Sequence, residues 1–342
     1  MKRGSSSKRP TSKDVAELAG VSQTTVSYVI NNKWGGNIRI SEETRRKVWE
    51  AVGALKYRPI AAARTLRTKR SNMVAVIIPH VQSLFQPRFA AIVQEEAEKE
   101  NLDVMIYHTH DDLKRELDTW TVLPQRDIQG VFTQSYLLSS ADLDPFVEAG
   151  MDVVIHGNSP THPFVDNVMI DEAKAVEEAV SYLIGQGHRR IGTIAGPQTM
   201  WTGRLRKEGY FNALQAHDIP TEEKLIREAD YKRGYGVQAM QELMTLAEPP
   251  TAVFAANDIL AIDALLYAVD SGLSVPDDVA IVGFDDLPEA TIVRPRLTTV
   301  RKDVDLLATA AVQMMIQRRN SEELLPSRQK VLDHELIVRE SA

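Results

Sequence analysis

Gln23, Thr24, Ser27 and Tyr28 fall on one side of the stretch Q-T-T-V-S-Y-V-I, whose apolar residues Val26, Val29 and Ile30 recur at helical spacing. Asn31 continues that polar side. Amides and hydroxyls on the outer face of a helix are groups that read base edges in the major groove of DNA. A second set of polar residues sits far downstream, at the ends of apolar runs. Gln134 follows G-V-F-T, His156 follows D-V-V-I, Asn257 and Asp258 follow T-A-V-F-A-A, and Asp285 follows V-A-I-V-G-F. In open α/β sheets, ligands bind beyond the carboxyl ends of the strands, where such residues lie. The plainer reading is that they are turn and cap residues, and Asn257-Asp258 reads equally well as the start of the next helix.

The first set needs a small helical scaffold. Thr11 followed three residues later by Asp14 reads as a capping box, and Val15, Leu18 and Ala19 give a first short helix its apolar face. Gly20 ends that helix, because glycine enters the left-handed region without a Cβ clash. Ser22 caps the second helix. Ser41 caps a third, with Glu42 and Glu43 in its first turn and Val48, Val52 and Leu55 facing inward. Two short helices joined by a glycine turn form a helix-turn-helix; the bland alternative is an αα-hairpin with a solvated face. Charge favours the former. The first 72 residues are strongly basic in a chain whose formal net charge is −7, so the remainder is net acidic. A basic head on an acidic body is the footprint of a nucleic-acid module joined to something else.

Residues 1–10 read as a disordered basic tail without the apolar run of a signal peptide, which with the DNA-binding head places the expected location in the cytoplasm. Arg58-Pro59 breaks the helical pattern, and Ala61–Arg67 has good helix formers for only about two turns, marginal in isolation. From Met73 onward, M-V-A-V-I-I-P, D-V-M-I-Y, G-V-F-T-Q and D-V-V-I-H-G alternate with amphipathic stretches. R-I-G-T-I-A-G, T-A-V-F-A-A-N and V-A-I-V-G-F-D then repeat the scheme. Continuous apolar strands alternating with helices mean parallel sheets covered on both faces, here in two similar lobes. Cysteine is absent, which excludes disulfides and thiolate chemistry. There is no G-x-G-x-x-G, phosphate-loop lysine or nucleophile elbow, so no catalytic residue, metal or cofactor is expected. His108-Thr109-His110-Asp111-Asp112 reads as a polar strand-to-helix loop rather than a metal site, and no run reaches membrane-spanning length.

T-S-K-D-V-A-E-L-A-G-V-S-Q-T-T-V-S-Y-V-I-N-N, continued by S-E-E-T-R-R-K-V-W-E-A-V-G-A-L-K-Y-R-P and A-A-A-R-T-L-R-T-K-R-S, resembles the head of the LacI/GalR family of bacterial repressors. G-H-R-R-I-G-T-I-A-G-P, F-A-A-N-D, S-V-P-D-D-V-A-I-V-G-F-D-D-L-P and P-R-L-T-T-V-R extend the resemblance over nearly the whole chain. It implies an α plus α/β protein: a three-helix head at 11–58, a hinge helix at 59–72, and a two-lobed sensor similar to type I periplasmic binding proteins. The expected first lobe is 73–168 with 299–325, and the second is 169–298 with 326–342. The resemblance adds Thr11, Thr25, Tyr57, Arg58 and Ala63 to the DNA-contacting set with Ser22, and makes Leu66 an apolar wedge for the minor groove.

For the sensor, the resemblance implies an effector pocket with Arg206, Asn257 and Asp285 as its polar core. Phe85 and Tyr231 supply aromatic packing, and Gln134, His156 and Lys302 line the cleft. A carboxylate accepting two hydroxyls and a guanidinium fork suit a polyhydroxylated ligand. The expectation is a ligand-responsive repressor that binds palindromic double-stranded DNA as a homodimer and senses a sugar or related polyol. A solute-binding or carbohydrate-processing protein on the same sensor fold, or an activator, remains open at this point. The sequence departs from the family pattern at Tyr28 (usually arginine), Ile60 (usually asparagine), His156 (usually acidic) and the run His80–Leu84.

Overall fold

The computed structural model describes residues 10–30, 38–57, 71–79, 81, 85–135, 138–157 and 161–342. Asn31, Arg58, Ala63 and Leu66, residues 1–9 of the expected tail and 59–70 of the expected hinge lie outside the described residues. The chain divides into a head, Met1–Ser71, and a sensor, Asn72–Ala342.

In the head, α1 spans Ser12–Ala19, α2 Gln23–Ile30 and α3 Glu42–Leu55. The capping box is formed: the Thr11 amide donates to Asp14 Oδ2 at 2.6 Å, and the Asp14 amide donates to Thr11 Oγ1 at 3.4 Å. Gly20 closes α1 at φ 65°, and Ser22 and Ser41 accept from the Thr25 and Thr44 amides at 3.1 and 3.2 Å. Val15, Ala16, Ala19, Val26, Val29, Val48 and Ala51 form the core. Leu18 does not join it and is 56% exposed. The buried face centres on Ala19, and its neighbour Leu18 is about 100° round the helix, so Ala16 takes the inward place.

The sensor contains two six-stranded sheets. The first has the order β11-β5-β4-β3-β1-β2, all neighbours parallel, from β1 Met73–Ile78, β2 Asp103–His108, β3 Ile128–Thr133, β4 Asp152–His156, β5 Asp166–Ile170 and β11 Gln329–Leu332. The second has the order β12-β10-β9-β8-β6-β7, from β6 Ile191–Ala195, β7 Ile226–Glu228, β8 Ala252–Ala255, β9 Ala280–Asp285, β10 Thr298–Arg301 and β12 Glu335–Ile337. Only β12 runs antiparallel among its pairings. Among the helices that position the site, α4 is Phe85–Lys99 and α5 is Leu113–Val122. Past α6 (Asp144–Glu148) come α7, Glu172–Gly185, and α8, Trp201–Ala216. Past α9 (Tyr235–Met244) come α10, Asp258–Asp270, and α11, Val304–Asn320.

The connections correct the expected lobe boundaries. The expected return at 299–325 is split: β10 pairs with β9 in the second sheet, and only α11 crosses to pack against α4 in the first-lobe core. The segment 326–342 is split in the opposite sense, because β11 pairs with β5 in the first sheet before β12 returns to the second. The first lobe also keeps β5 through Ile170. Thr298–Val300 are buried and feed the β9 ladder, whereas the apolar positions of α11 match those of α4, which is why the crossing falls at Lys302–Asp303 rather than before the strand. Asp166 anchors the other crossing. It accepts from Arg318 NH2 at 2.8 Å and from the Arg328 amide at 2.9 Å.

Candidate functional site

The outer surface of α2 carries the DNA-facing candidates. Gln23 and Thr24 are exposed, and Thr25, Ser27 and Tyr28 are half-buried beside the core residues Val26 and Val29. The exposed Thr11 and Ser22 hydroxyls serve as helix caps, and Tyr57 packs half-buried on the head core. Two amide and hydroxyl side chains therefore stand free of the core at the N-terminal turn of α2, the part of such a helix that meets base edges.

In the sensor, a cavity of about 300 Å³ opens beside the carboxyl end of β9. Its lining includes Phe85 at the start of α4, Asp285 at the end of β9, and Lys302 at the crossing into α11. Asp285 sits at φ 115° and Asp286 at φ 54°, an arrangement that L-residues rarely adopt and that tends to persist at functional sites. Neighbours hold it there. Buried Asp258 accepts from Thr299 Oγ1 at 2.5 Å and from the Leu287 amide at 2.7 Å, tying β10 to the turn itself. Asp286 accepts from Arg301 Nε at 2.8 Å and Arg339 NH2 at 2.5 Å. Burial, and then the charge of Asp285, hold Asp258 well above the ordinary carboxylate range.

Behind Asp285 lies a buried four-charge cluster. Arg206 Nε donates to Glu172 Oε2 at 2.7 Å, and Arg206 NH2 lies 3.7 Å from Asp285 Oδ1. Lys302 Nζ is 3.5 Å from Glu172 Oε1 and 3.8 Å from Asp285 Oδ1. Burial alone would lower the Arg206 pKa, but Glu172, with Tyr231 and Asp285, keeps it raised. Burial works against the Glu172 carboxylate, and Arg206 and Lys302 overcome it, so Glu172 stays ionised. The Arg206 guanidinium also donates to the Ala256 carbonyl and lies 3.9 Å over the Phe284 ring. Tyr231 stands beside it, 5.8 Å from guanidinium to ring. A Cβ on Gly196 would collide with the Tyr231 hydroxyl, so glycine is needed there.

The other first-lobe candidates are buried apart from the cavity lining. His156 is stacked on Phe89 with ring centroids 3.7 Å apart, and Phe85 lies 6.1 Å away. Gln134 accepts a hydrogen bond from buried Gln86. Of the expected effector residues, Phe85, Asp285 and Lys302 line the cavity, Arg206 and Tyr231 lie behind Asp285, and Gln134, His156 and Asn257 are buried and are not part of the lining. Asn257 is the cap of α10, with Oδ1 accepting from the Leu260 amide at 2.9 Å. The sequence reading missed Glu172, Gln86 and Phe89. Glu172 opens a helix, where an acidic residue needs no ligand to explain it, so nothing local marked it out.

Comparison with known proteins is consistent with both halves. Residues 11–59 match the model for bacterial regulatory proteins of the lacI family, and residues 180–342 match the periplasmic binding protein-like domain. The transcriptional regulator CelR of Thermobifida fusca is 36% identical over 345 residues, covering 98% of each chain. The chain belongs to the LacI family of bacterial regulators. This LacI-family protein is therefore a ligand-responsive, DNA-binding transcriptional regulator rather than an enzyme. The probable repressor ExuR of Bacillus subtilis is 32% identical, covering 97% of this chain and 98% of its own. Among solved structures, the lac repressor dimer bound to operator and the anti-inducer ONPF superimposes with a TM-score of 0.85 at 26% identity, over 98% of this chain and 99% of that one. The CelR–cellobiose complex gives 0.72 at 32% identity, over 98% and 100%. No helix among the described residues is long and apolar enough to cross a membrane.

Proposed function

We propose that this LacI-family regulator is a cytoplasmic repressor that binds a palindromic operator as a homodimer and senses an uncharged sugar or related polyol in the sensor cavity. Two copies place their α2 helices in successive major grooves, about 34–36 Å apart. Gln23 and Thr24 read base edges; Thr25, Ser27, Tyr28, Asn31, Tyr57 and Arg58 complete the contact set, and Leu66 with Ala63 enters the minor groove.

The observation that carries the ligand class is the pairing of the charges around the cavity. Arg88 pairs with Asp305 at 2.8 Å, Arg301 with Asp286 at 2.8 Å, and Lys302 with Glu172 and Asp285 at 3.5 and 3.8 Å. The lining carries three cations against four carboxylates, so it does not favour a ligand anion, and Phe85 offers an aromatic face to the C–H side of a sugar ring beside the Asp285 carboxylate. Arg206, Asn257 and Tyr231 back the second-lobe side, and Gln134 and His156 the first-lobe side. The test is titration calorimetry of the full-length protein with a panel of neutral sugars, including cellobiose, alongside the corresponding sugar acids. Binding confined to the acids would overturn the ligand class.

A further inference from the structure

Two buried groups on either side of Phe85 are unusual together. Lys302 is 5% exposed and lines the cavity at the crossing between β10 and α11. It touches Glu172 and Asp285 of the second lobe and stands 4.2 Å from the ring of Phe85 in the first. Across Phe85 lies His156, 1% exposed, whose Nδ1 and Nε2 both lack a hydrogen-bond partner among the described residues. A buried imidazole with no partner forfeits a hydrogen bond at each nitrogen, and such orphaned groups call for an explanation. Burial first, and then the charge of Lys302 itself, keep His156 neutral. A neutral imidazole has one nitrogen with a free lone pair, able to accept from an ammonium.

We propose that Lys302 is a two-position switch: its ammonium rests on Glu172 and Asp285 when the cavity is empty, and moves to the orphaned ring nitrogen of His156 when ligand hydroxyls take over Asp285. The inference rests on the sugar-sensing reading for its trigger, but the two berths do not. The geometry favours such a transfer. Lys302 is the crossing residue between β10 and α11, so its backbone belongs to neither lobe and its stem can serve both. Phe85 lies beside both berths, 6.1 Å from His156 by ring centroids, and can accompany the ammonium as a cation–π partner throughout the move. Releasing one lobe's carboxylates while gaining the other lobe's imidazole gives ligand binding a differential contact between the two lobe arrangements, which any allosteric transition requires.

The test uses full-length protein with 15N-labelled histidine, the His156 signal being identified by its loss in His156→Phe. Glu172→Gln combined with Asp285→Asn empties the first berth without any ligand. The unprotonated nitrogen of His156 is expected to shift upfield as it accepts the ammonium, and adding Lys302→Met should abolish that shift. If the double variant does not fold, Asp285→Asn alone, which keeps the Glu172–Arg206 pair, should give a smaller shift in the same direction. An unmoved His156 signal in these variants overturns the switch. In the wild type, saturation with cellobiose or whichever panel sugar binds should produce the same shift. If no sugar binds yet the ligand-free variants shift, the sugar reading fails and the two berths stand; if a sugar binds without the shift, the switch fails and the sugar reading stands.

Discussion

The guanidinium of Arg206 and the carboxylate of Glu172 meet at 2.7 Å where their side chains are only 5% and 1% exposed. The pair joins the start of α7 to the middle of α8 directly behind Asp285. A buried pair need not stabilise a fold over apolar packing, but removing one partner leaves an uncompensated charge. Glu172→Ala should therefore cost the sensor about 3–5 kcal/mol in urea unfolding, whereas Arg206 and Lys302 make Glu172→Gln intermediate. A loss under about 1 kcal/mol would mean that solvent reaches the pair.

Glu116 should make the stability of the sensor depend on pH. It is 5% exposed and donated to by Ser135 Oγ at 3.1 Å, and burial, only partly offset by that hydrogen bond, pushes its pKa up to about 7. The unfolded chain would titrate near 4.5. Between those values the folded state holds a proton that the unfolded state releases, so this group's stabilisation is complete below the unfolded pKa and is lost as pH rises through about 7. At about 1.4 kcal/mol per unit, the loss is about 3 kcal/mol. Glu116→Gln should flatten the fall in thermal stability between pH 5 and pH 8 and raise stability at pH 8. A variant with the wild-type slope would place the titration elsewhere.

Gln23 and Thr24, the proposed base readers, are exposed on the first turn of α2 while Val26 and Val29 fix the helix to the head core. Alanine at either should weaken binding to the cognate operator by about 1–3 kcal/mol and binding to random DNA much less. Mobility-shift titrations at fixed salt on both DNAs measure the difference. Equal losses would reduce these side chains to backbone contacts.

The head and the strand series were legible because their signals are local. Thr11 with Asp14, Gly20 and Ser22 each act within one turn, and β1 to β4, β6, β8 and β9 are continuous apolar runs. What escaped was decided by distant partners. Asp166 and Asn167 open β5 with polar residues, and the strand survives because Arg318 and Arg328, far along the chain, satisfy Asp166. The side of the crossing to which β10 belongs depends on its pairing with β9, which no window around Thr298 reveals. In the cavity, Asp285 announced itself at a strand end. Glu172 did not, because its role comes from Arg206 and Lys302, which reach it from other segments.

Asp285 is proposed as the carboxylate through which ligand occupancy reaches the operator. The direct measurement is calorimetry with the sugar panel, on wild type and on Asp285→Asn, each with and without operator DNA. Asn keeps the shape but turns one acceptor into a donor, so a ligand giving two hydroxyl hydrogens to Asp285 loses its match. One neutral sugar should bind the wild type, and operator should change its affinity by about 1–3 kcal/mol, reciprocal to the sugar's effect on operator binding. Asp285→Asn should lose most of that sugar affinity and the coupling, and still bind operator. The same sugar affinity in wild type and Asp285→Asn would contradict a ligand-binding role and leave Asp285 as a turn residue beside an unrelated site.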